Sequence, residues 1–148
     1  MRIRSTIFVL LAAVVATLGV QAPAEAAGGV RITKVYFDSP GSDTGSNLSL
    51  NAEYVTIKNF GTRTRTVSGW TLRDRGSVHV FHFPTFRLAP GARVTIHTGT
   101  GAKTAHSLYW GMSWYVWNNT GDTATLRRAS GTLVDRCTFT GAGSFKIC

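Results

Sequence analysis

Apolar and polar side chains alternate with a period of two along several stretches of the chain. The clearest runs are 54–58, 93–97 and 123–127. Because successive side chains of a β-strand point to opposite faces of its sheet, each run predicts a strand with one apolar and one polar face. This pattern is typical of antiparallel sheets that cover a core on one side and meet water on the other.

Eight strands are predicted from these runs and from shorter ones like them. Their expected bounds are 30–37, 53–59, 69–73, 78–83, 92–98, 107–110, 123–128 and 132–139. Turns rich in Gly, Pro, Asn and Asp separate the strands, and no segment shows convincing helical periodicity. We therefore expect an all-β, antiparallel sandwich or barrel of about seven to nine short strands.

The first strand departs from strict alternation. Val30 and Ile32 have the opposite parity from Val35 and Phe37. One extra residue in the strand would place all four side chains on the same face. The sequence thus predicts a β-bulge near Thr33.

Residues 38–52 form the one long predicted connection. The segment is rich in turn-forming residues and longer than most hairpin loops, so we interpret it as a functional or mobile loop. Asp38, Asp43 and Glu53 lie in or beside it, and oxygen-rich loops can bind Ca²⁺, although their spacing fits no EF-hand. A calcium site and a solvated loop are both compatible with this pattern.

The N-terminus has the three-part layout of a cleavable signal peptide. Two arginines precede an uncharged, mostly apolar stretch of 14 residues, 7–20, and Ala24 and Ala26 place small side chains before a cleavage site. The stretch is shorter than the roughly 20 apolar residues of a membrane-spanning helix. We expect residues 1–26 to be removed, leaving one secreted domain, 27–148, without a membrane span.

Positive charge dominates the expected domain. The chain has 16 Lys and Arg against 7 Asp and Glu, and removal of Arg2, Arg4 and Glu25 would leave a net charge of about +8. Such a surface favours nucleic acid or an anionic cell-envelope polymer as partner, and another extracellular protein is a further candidate. Increased solubility is the alternative explanation of the charge. The candidate anion-binding residues are Arg63, Arg65, Arg73, Arg75, Arg127 and Arg128.

Cys137 and Cys148 are the two cysteines of the chain. In exported proteins two thiols usually pair, whereas a zinc site would need two further ligands, and no His lies near either Cys in the sequence. The sequence predicts a disulfide that ties the C-terminal tail to the last predicted strand.

Catalytic motifs are not evident. His79 and His82 are three positions apart on a predicted strand, so they face opposite sides and are interpreted as surface or edge residues. The segment 98–104 superficially resembles a phosphate-binding loop, but Ala102 precedes Lys103 where that motif requires Gly. We expect no enzymatic activity, no cofactor and no metal.

Large aromatic side chains are numerous. Most large aromatic side chains of a small sandwich lie in its core, which is expected of Trp70 and Trp117, whereas Trp110, Trp114 and Tyr115 lie in a connecting segment. If exposed, these three could stack on sugar rings. A carbohydrate-binding module is therefore the alternative function.

Six stretches occur in the order characteristic of one family. They are ITKVYFD (32–38), NAEYVTIKN (51–59) with Gly61, VSGWTLRD (67–74), FHFP (81–84), LAPGARV (88–94), and WNNTGDTATL (117–126) with Gly131. In this order the chain resembles the lamin-tail domain, an immunoglobulin-like β-sandwich of nuclear lamins and of many secreted bacterial proteins. The resemblance implies a non-catalytic attachment or recognition module, here a secreted bacterial protein that carries the domain alone.

Overall fold

The computed structural model describes residues 29–148, so the expected signal peptide lies outside the described residues. The elements are β1 (Val30–Tyr36), α1 (Asn47–Ala52), β2 (Tyr54–Asn59), β3 (Arg65–Thr66), β4 (Thr71–Arg73), a 3-10 turn (Arg75–Ser77), β5 (Val80–His82), β6 (Arg87–Leu88), β7 (Arg93–His97), β8 (Ser107–Tyr109), β9 (Asp122–Arg127), β10 (Leu133–Phe139) and β11 (Phe145–Ile147). The regular elements of the described part of the chain are thus mostly strands, as predicted. None of its helices is long and apolar enough to span a membrane.

The strands form two larger sheets and one small ladder. The five-stranded sheet has the order β11-β1-β2-β7-β8, the four-stranded sheet has the order β10-β9-β4-β5, and β3 pairs with β6. One pair, β7 and β8, is parallel. The sheets are otherwise antiparallel, as predicted, and this pair differs because residues 98–106 lead the chain back to the end at which β7 began.

Side chains from the inner faces of both larger sheets form a single core. Val35, Ile57 and Ile96 of the five-stranded sheet and Leu72 and Leu126 of the four-stranded sheet are at most 1% exposed. Burial of each such side chain contributes roughly 1.5–3 kcal/mol. This core leaves the alternate positions of each strand on the two outer faces, where they meet water.

All eight predicted strands are confirmed, with their ends within two residues of the expected bounds. The predicted bulge is also present, since the pairing of β1 with β2 shifts register between Ile32 and Lys34. The inserted Thr33 lets both halves of β1 direct their apolar side chains into the core.

Helix α1 lies within the connection that was expected to be a loop, so that expectation is wrong for 47–52. Ser46 caps the helix, and its hydroxyl accepts a hydrogen bond from the backbone N–H of Ser49 at 3.3 Å. Leu50 is the buried residue of the helix. A helix of six residues is too short to show helical periodicity, and its packing against the sheet stabilises it.

Cys137 and Cys148 form the predicted disulfide, with their Cα atoms 5.9 Å apart. Cys137 lies in β10 of the four-stranded sheet, and Cys148 directly follows β11 of the five-stranded sheet. The disulfide therefore joins the two sheets along one side of the sandwich.

Candidate anion-binding site

Four arginines project from the outer face of the four-stranded sheet and the turn beside it. Arg73 lies in β4, Arg127 in β9 and Arg136 in β10, while Arg75 begins the 3-10 turn. In the register of the sheet, Thr125 of β9 lies between Arg73 and Arg136. We call these four residues the arginine face.

Three residues of the arginine face surround one shallow pocket. Arg75, Arg127 and Arg136 line this depression, which has a volume of about 280 Å³. Hydroxyl side chains also line it, namely those of Ser77, Thr123 and Thr125. Guanidinium and hydroxyl groups are the donors that bind phosphate, sulfate or carboxylate oxygens.

The carboxylates nearest to this pocket are engaged within the protein. Asp74, which also lines the pocket, is 6% exposed and is bonded to His79 through the backbone N–H at 2.9 Å and through Nδ1 at 2.7 Å. Asp122 is fully buried and accepts a hydrogen bond from the backbone N–H of Arg75 at 2.9 Å. Within residues 29–148 no guanidinium of the arginine face forms an ion pair.

The backbone of the 3-10 turn fixes where the pocket lies. Gly76 and Ser77 both have left-handed conformations, with φ of 76° and 57°. Such a conformation is uncommon for serine. It is held by the hydrogen bond from the N–H of Ser77 to the carbonyl of Asp74, 3.2 Å long, and by the bond between Arg75 and Asp122.

The other three predicted arginines lie elsewhere. Arg65 and Arg128 line a different cleft, of about 460 Å³, together with Arg31. The Arg128 guanidinium lies 5.9 Å from the centre of the Trp70 ring, and Trp70, which was expected in the core, is only partly buried. Arg63 is exposed in the loop before β3. Of the six arginines predicted to bind an anion, the structure thus brings together Arg73, Arg75 and Arg127.

A family model described as Lamin Tail Domain matches residues 23–141. The chain belongs to the lamin-tail domain family. The match spans β1 to β10 and therefore both inner faces of the sandwich. Lamin-tail domains are immunoglobulin-like and non-enzymatic as a family. A search of curated proteins found no match.

The three aromatic residues proposed to bind sugar do not form a flat platform in this lamin-tail domain. Trp110 is partly buried and meets the buried Trp117 edge-on, with ring centres 5.9 Å apart. Trp114 is 60% exposed, and one side of its ring lies against the Cα of Gly45. The Tyr115 hydroxyl accepts a hydrogen bond from the backbone N–H of Gly45 at 3.4 Å. Trp114 alone presents a large exposed surface.

The oxygen-rich connection of this lamin-tail domain does not form a carboxylate cluster suited to a metal ion. The Asp38 carboxylate accepts a hydrogen bond from the Asn119 side chain at 3.1 Å, Asp43 is exposed, and Glu53 is fully buried. In the described part of the chain, no three His, Cys, Asp or Glu side chains are close enough to share a metal ion.

Glu53 has a structural role that its position in the sequence did not reveal. Its Oε1 atom accepts hydrogen bonds from Thr98 Oγ1 at 2.9 Å and from the backbone N–H groups of Val116 and Trp117 at 2.8 and 2.9 Å. Its Oε2 atom is buried and has no hydrogen-bond partner. Burial raises the pKa of Glu53 to about 7, although these hydrogen bonds oppose the increase.

Proposed function

We propose that this lamin-tail domain is a secreted, non-catalytic binding module that recognises an anionic polymer through its arginine face. One observation carries the proposal: Arg75, Arg127 and Arg136 surround a single pocket and form no ion pair within residues 29–148. A cluster of guanidinium groups that form no ion pairs within the described residues attracts an external anion.

The distribution of carboxylates strengthens this positive potential. Residues 29–148 contain six Asp and Glu side chains, and three of them, Glu53, Asp74 and Asp122, are buried. Acidic charge is therefore directed inward, while basic side chains occupy the outer face. An anion approaching the arginine face meets few competing carboxylates.

The arrangement suits a polymer better than a single ion. Arg73 and Arg136 lie on strands separated by β9, so their backbones are about 10 Å apart. Guanidinium groups at this separation can bind successive charged groups of one chain. Nucleic acid and anionic cell-envelope polymers, which repeat a phosphate or carboxylate, both have this chemistry.

The test compares two double variants that lose the same charge. Arg127→Ala/Arg136→Ala alters the arginine face, and Arg63→Ala/Arg87→Ala removes two exposed arginines from other surfaces. Binding of a labelled DNA duplex and of poly(glycerol phosphate) is measured at low ionic strength. We expect about tenfold or greater weakening for the first variant and little change for the second. Equal effects of both variants, or no binding by the wild type, would refute the proposal.

A carbohydrate-binding function is the second candidate, and the exposure of Trp114 favours it. It predicts quenching of tryptophan fluorescence by a neutral glycan and no dependence on salt. Glycan affinity that Trp114→Ala leaves unchanged would exclude this candidate.

A further inference from the structure

The outer face of the five-stranded sheet carries one aromatic ring from each of its strands. In the register of the sheet these rings form a continuous row: Phe145, Tyr36, Tyr54, His97 and Tyr109. Neighbouring ring centres are 5.1 to 5.8 Å apart. Four strand spacings of about 4.8 Å give a length of roughly 19 Å. We call this set of rings the aromatic row.

The aromatic row is partly exposed to solvent. The rings of Tyr36 and Tyr54 are inclined by 28° to each other and those of His97 and Tyr109 by 22°, so they overlap across the strands. All five residues retain solvent exposure, and Phe145, in the edge strand β11, is 47% exposed. Cross-strand ring pairs stabilise a sheet, but that role alone does not require a half-exposed phenylalanine at the end of the row.

Basic side chains flank the aromatic row on the same face. Lys34, two positions before Tyr36, lies over one end of the row, with its Nζ atom 4.4 Å from the ring centre of Phe145, 5.0 Å from that of Tyr36 and 5.6 Å from that of Tyr54. Further along the strands, Lys58 pairs with Arg93 across β2 and β7. None of the five strands contains Asp or Glu. The face therefore combines aromatic rings with positive charge.

This combination favours one kind of occupant. A second copy of the chain would oppose like charges across the contact. A neutral glycan would use the rings but not the cations, and a DNA duplex keeps its base faces stacked inside. A single-stranded nucleic acid exposes both base faces and phosphates, which aromatic rings and basic side chains bind together.

We propose that the outer face of the five-stranded sheet binds single-stranded nucleic acid, with bases against the aromatic row and phosphates along Lys34, Lys58 and Arg93. This surface lies on the opposite side of the sandwich from the arginine face, and the inference does not rest on the function proposed above. The row is long enough for several unstacked nucleotides, so a short oligonucleotide suffices as a probe. Binding at such a site tolerates different base sequences.

The experiment measures binding of a labelled 12-nucleotide oligothymidylate by fluorescence anisotropy. Tyr36→Thr/Tyr54→Thr removes the two central rings and keeps side chains suited to strands. Trp114→Ala, which removes an exposed ring outside the sheet, is the matched control. We expect about tenfold or greater weakening for the tyrosine variant and unchanged affinity for the control.

A second pair of variants tests the basic side chains of this face and also covers the case in which the tyrosine variant does not fold. Lys58→Gln/Arg93→Gln should weaken oligothymidylate binding, and the charge-matched Arg63→Gln/Arg87→Gln, which alters neither this face nor the arginine face, should leave it largely intact. Circular dichroism verifies the fold of each variant. If Lys58→Gln/Arg93→Gln leaves oligothymidylate binding unchanged, if it weakens the binding of an equally long duplex to the same extent, or if polygalacturonate competes better than oligothymidylate, the inference is overturned.

Discussion

The carboxylate of Glu53 accepts a hydrogen bond from the backbone N–H of Trp117, 2.9 Å away and 64 positions further along the chain. The same oxygen accepts hydrogen bonds from the hydroxyl of Thr98, the residue directly after β7, and from the backbone N–H of Val116. One buried carboxyl group thus joins three segments where the regular strand pairing ends. Because its other oxygen has no partner, the charged form of Glu53 is incompletely compensated.

The first prediction concerns pH. The pKa of Glu53 rises from 4.5 to about 7 on folding, so between these values the folded protein holds a proton that the unfolded chain has released. The contribution of this proton on Glu53 to the free energy of unfolding is complete below pH 4.5, declines as pH rises, and is lost above about pH 7. At about 1.4 kcal/mol per pKa unit, the loss is at most about 3–4 kcal/mol.

Urea unfolding of wild type and Glu53→Gln at several pH values measures this effect. Glutamine has nearly the same shape and does not titrate, so the difference between the two stability curves isolates Glu53 from other ionisable groups. We expect the difference to change between pH 5 and pH 8. A constant difference across that range would contradict the assignment.

The second prediction compares two glycines in the turn between β10 and β11. Gly141 and Gly143 both have left-handed φ angles, 79° and 75°. A Cβ atom at Gly143 would meet open space, whereas one at Gly141 would overlap the Asn119 carbonyl oxygen and lie 2.7 Å from the Thr120 carbonyl carbon. Gly143→Ala should cost about 1–2 kcal/mol from φ strain alone.

Gly141→Ala should cost more than Gly143→Ala, because the overlap involves backbone atoms that cannot move independently of the turn. Thermal unfolding of both variants provides the comparison. Equal melting temperatures would show that residues 119 and 120 do not lie against the turn as described.

The third prediction concerns the disulfide. Cys137 and Cys148 close a loop with a sequence separation of 11 residues. Constraining such a loop in the unfolded chain stabilises the fold by roughly 3 kcal/mol in the chain-entropy model. Cys137→Ser/Cys148→Ser should lower the free energy of unfolding by about this amount.

The loss of the disulfide should also affect the aromatic row, because Phe145 lies in the strand that the disulfide anchors. Amide hydrogen exchange of β11 should become faster, while exchange in β9 should change little. Unaltered protection of β11 in the serine variant would show that its pairing with β1 is sufficient to hold it.

The fourth prediction uses ionic strength. Each guanidinium–phosphate contact contributes about 0.9 to the slope of log affinity against log salt concentration on duplex DNA. Arg127→Ala/Arg136→Ala should reduce this slope by nearly 2 if both side chains contact phosphate. The control variant Arg63→Ala/Arg87→Ala should retain the wild-type slope. A slope that does not change in Arg127→Ala/Arg136→Ala would place the ligand elsewhere.

Local patterning was sufficient to predict most of the fold. The run from Tyr54 to Lys58 alternates strictly because one face of β2 is in the core, and the parity change in β1 predicted the bulge at Thr33. β11 has three residues and α1 has six, which is too few for periodicity to distinguish them from loops. The parallel pairing of β7 with β8 depends on the path of the connection, which periodicity does not encode.

The binding surfaces were harder to predict because they depend on register between distant strands. Arg73 and Arg127 were among the six arginines that the sequence predicted to bind an anion. Arg136 was not among them. It lies near Arg73 because both residues pair with Thr125 of β9, a register that the sequence does not show. The aromatic row was not predicted for the same reason: its members come from five strands spread between residues 36 and 145.

The edge strands of the two larger sheets affect how copies of the protein behave when they lie close together. β5, β8 and β11 end their sheets with only three residues each, and β10, with seven, is interrupted by a register shift between Leu133 and Asp135. An exposed edge strand can pair with a strand of a neighbouring molecule, and a short or irregular edge strand makes this pairing less favourable. We therefore expect copies crowded along one polymer to coat it side by side without fusing into fibrils.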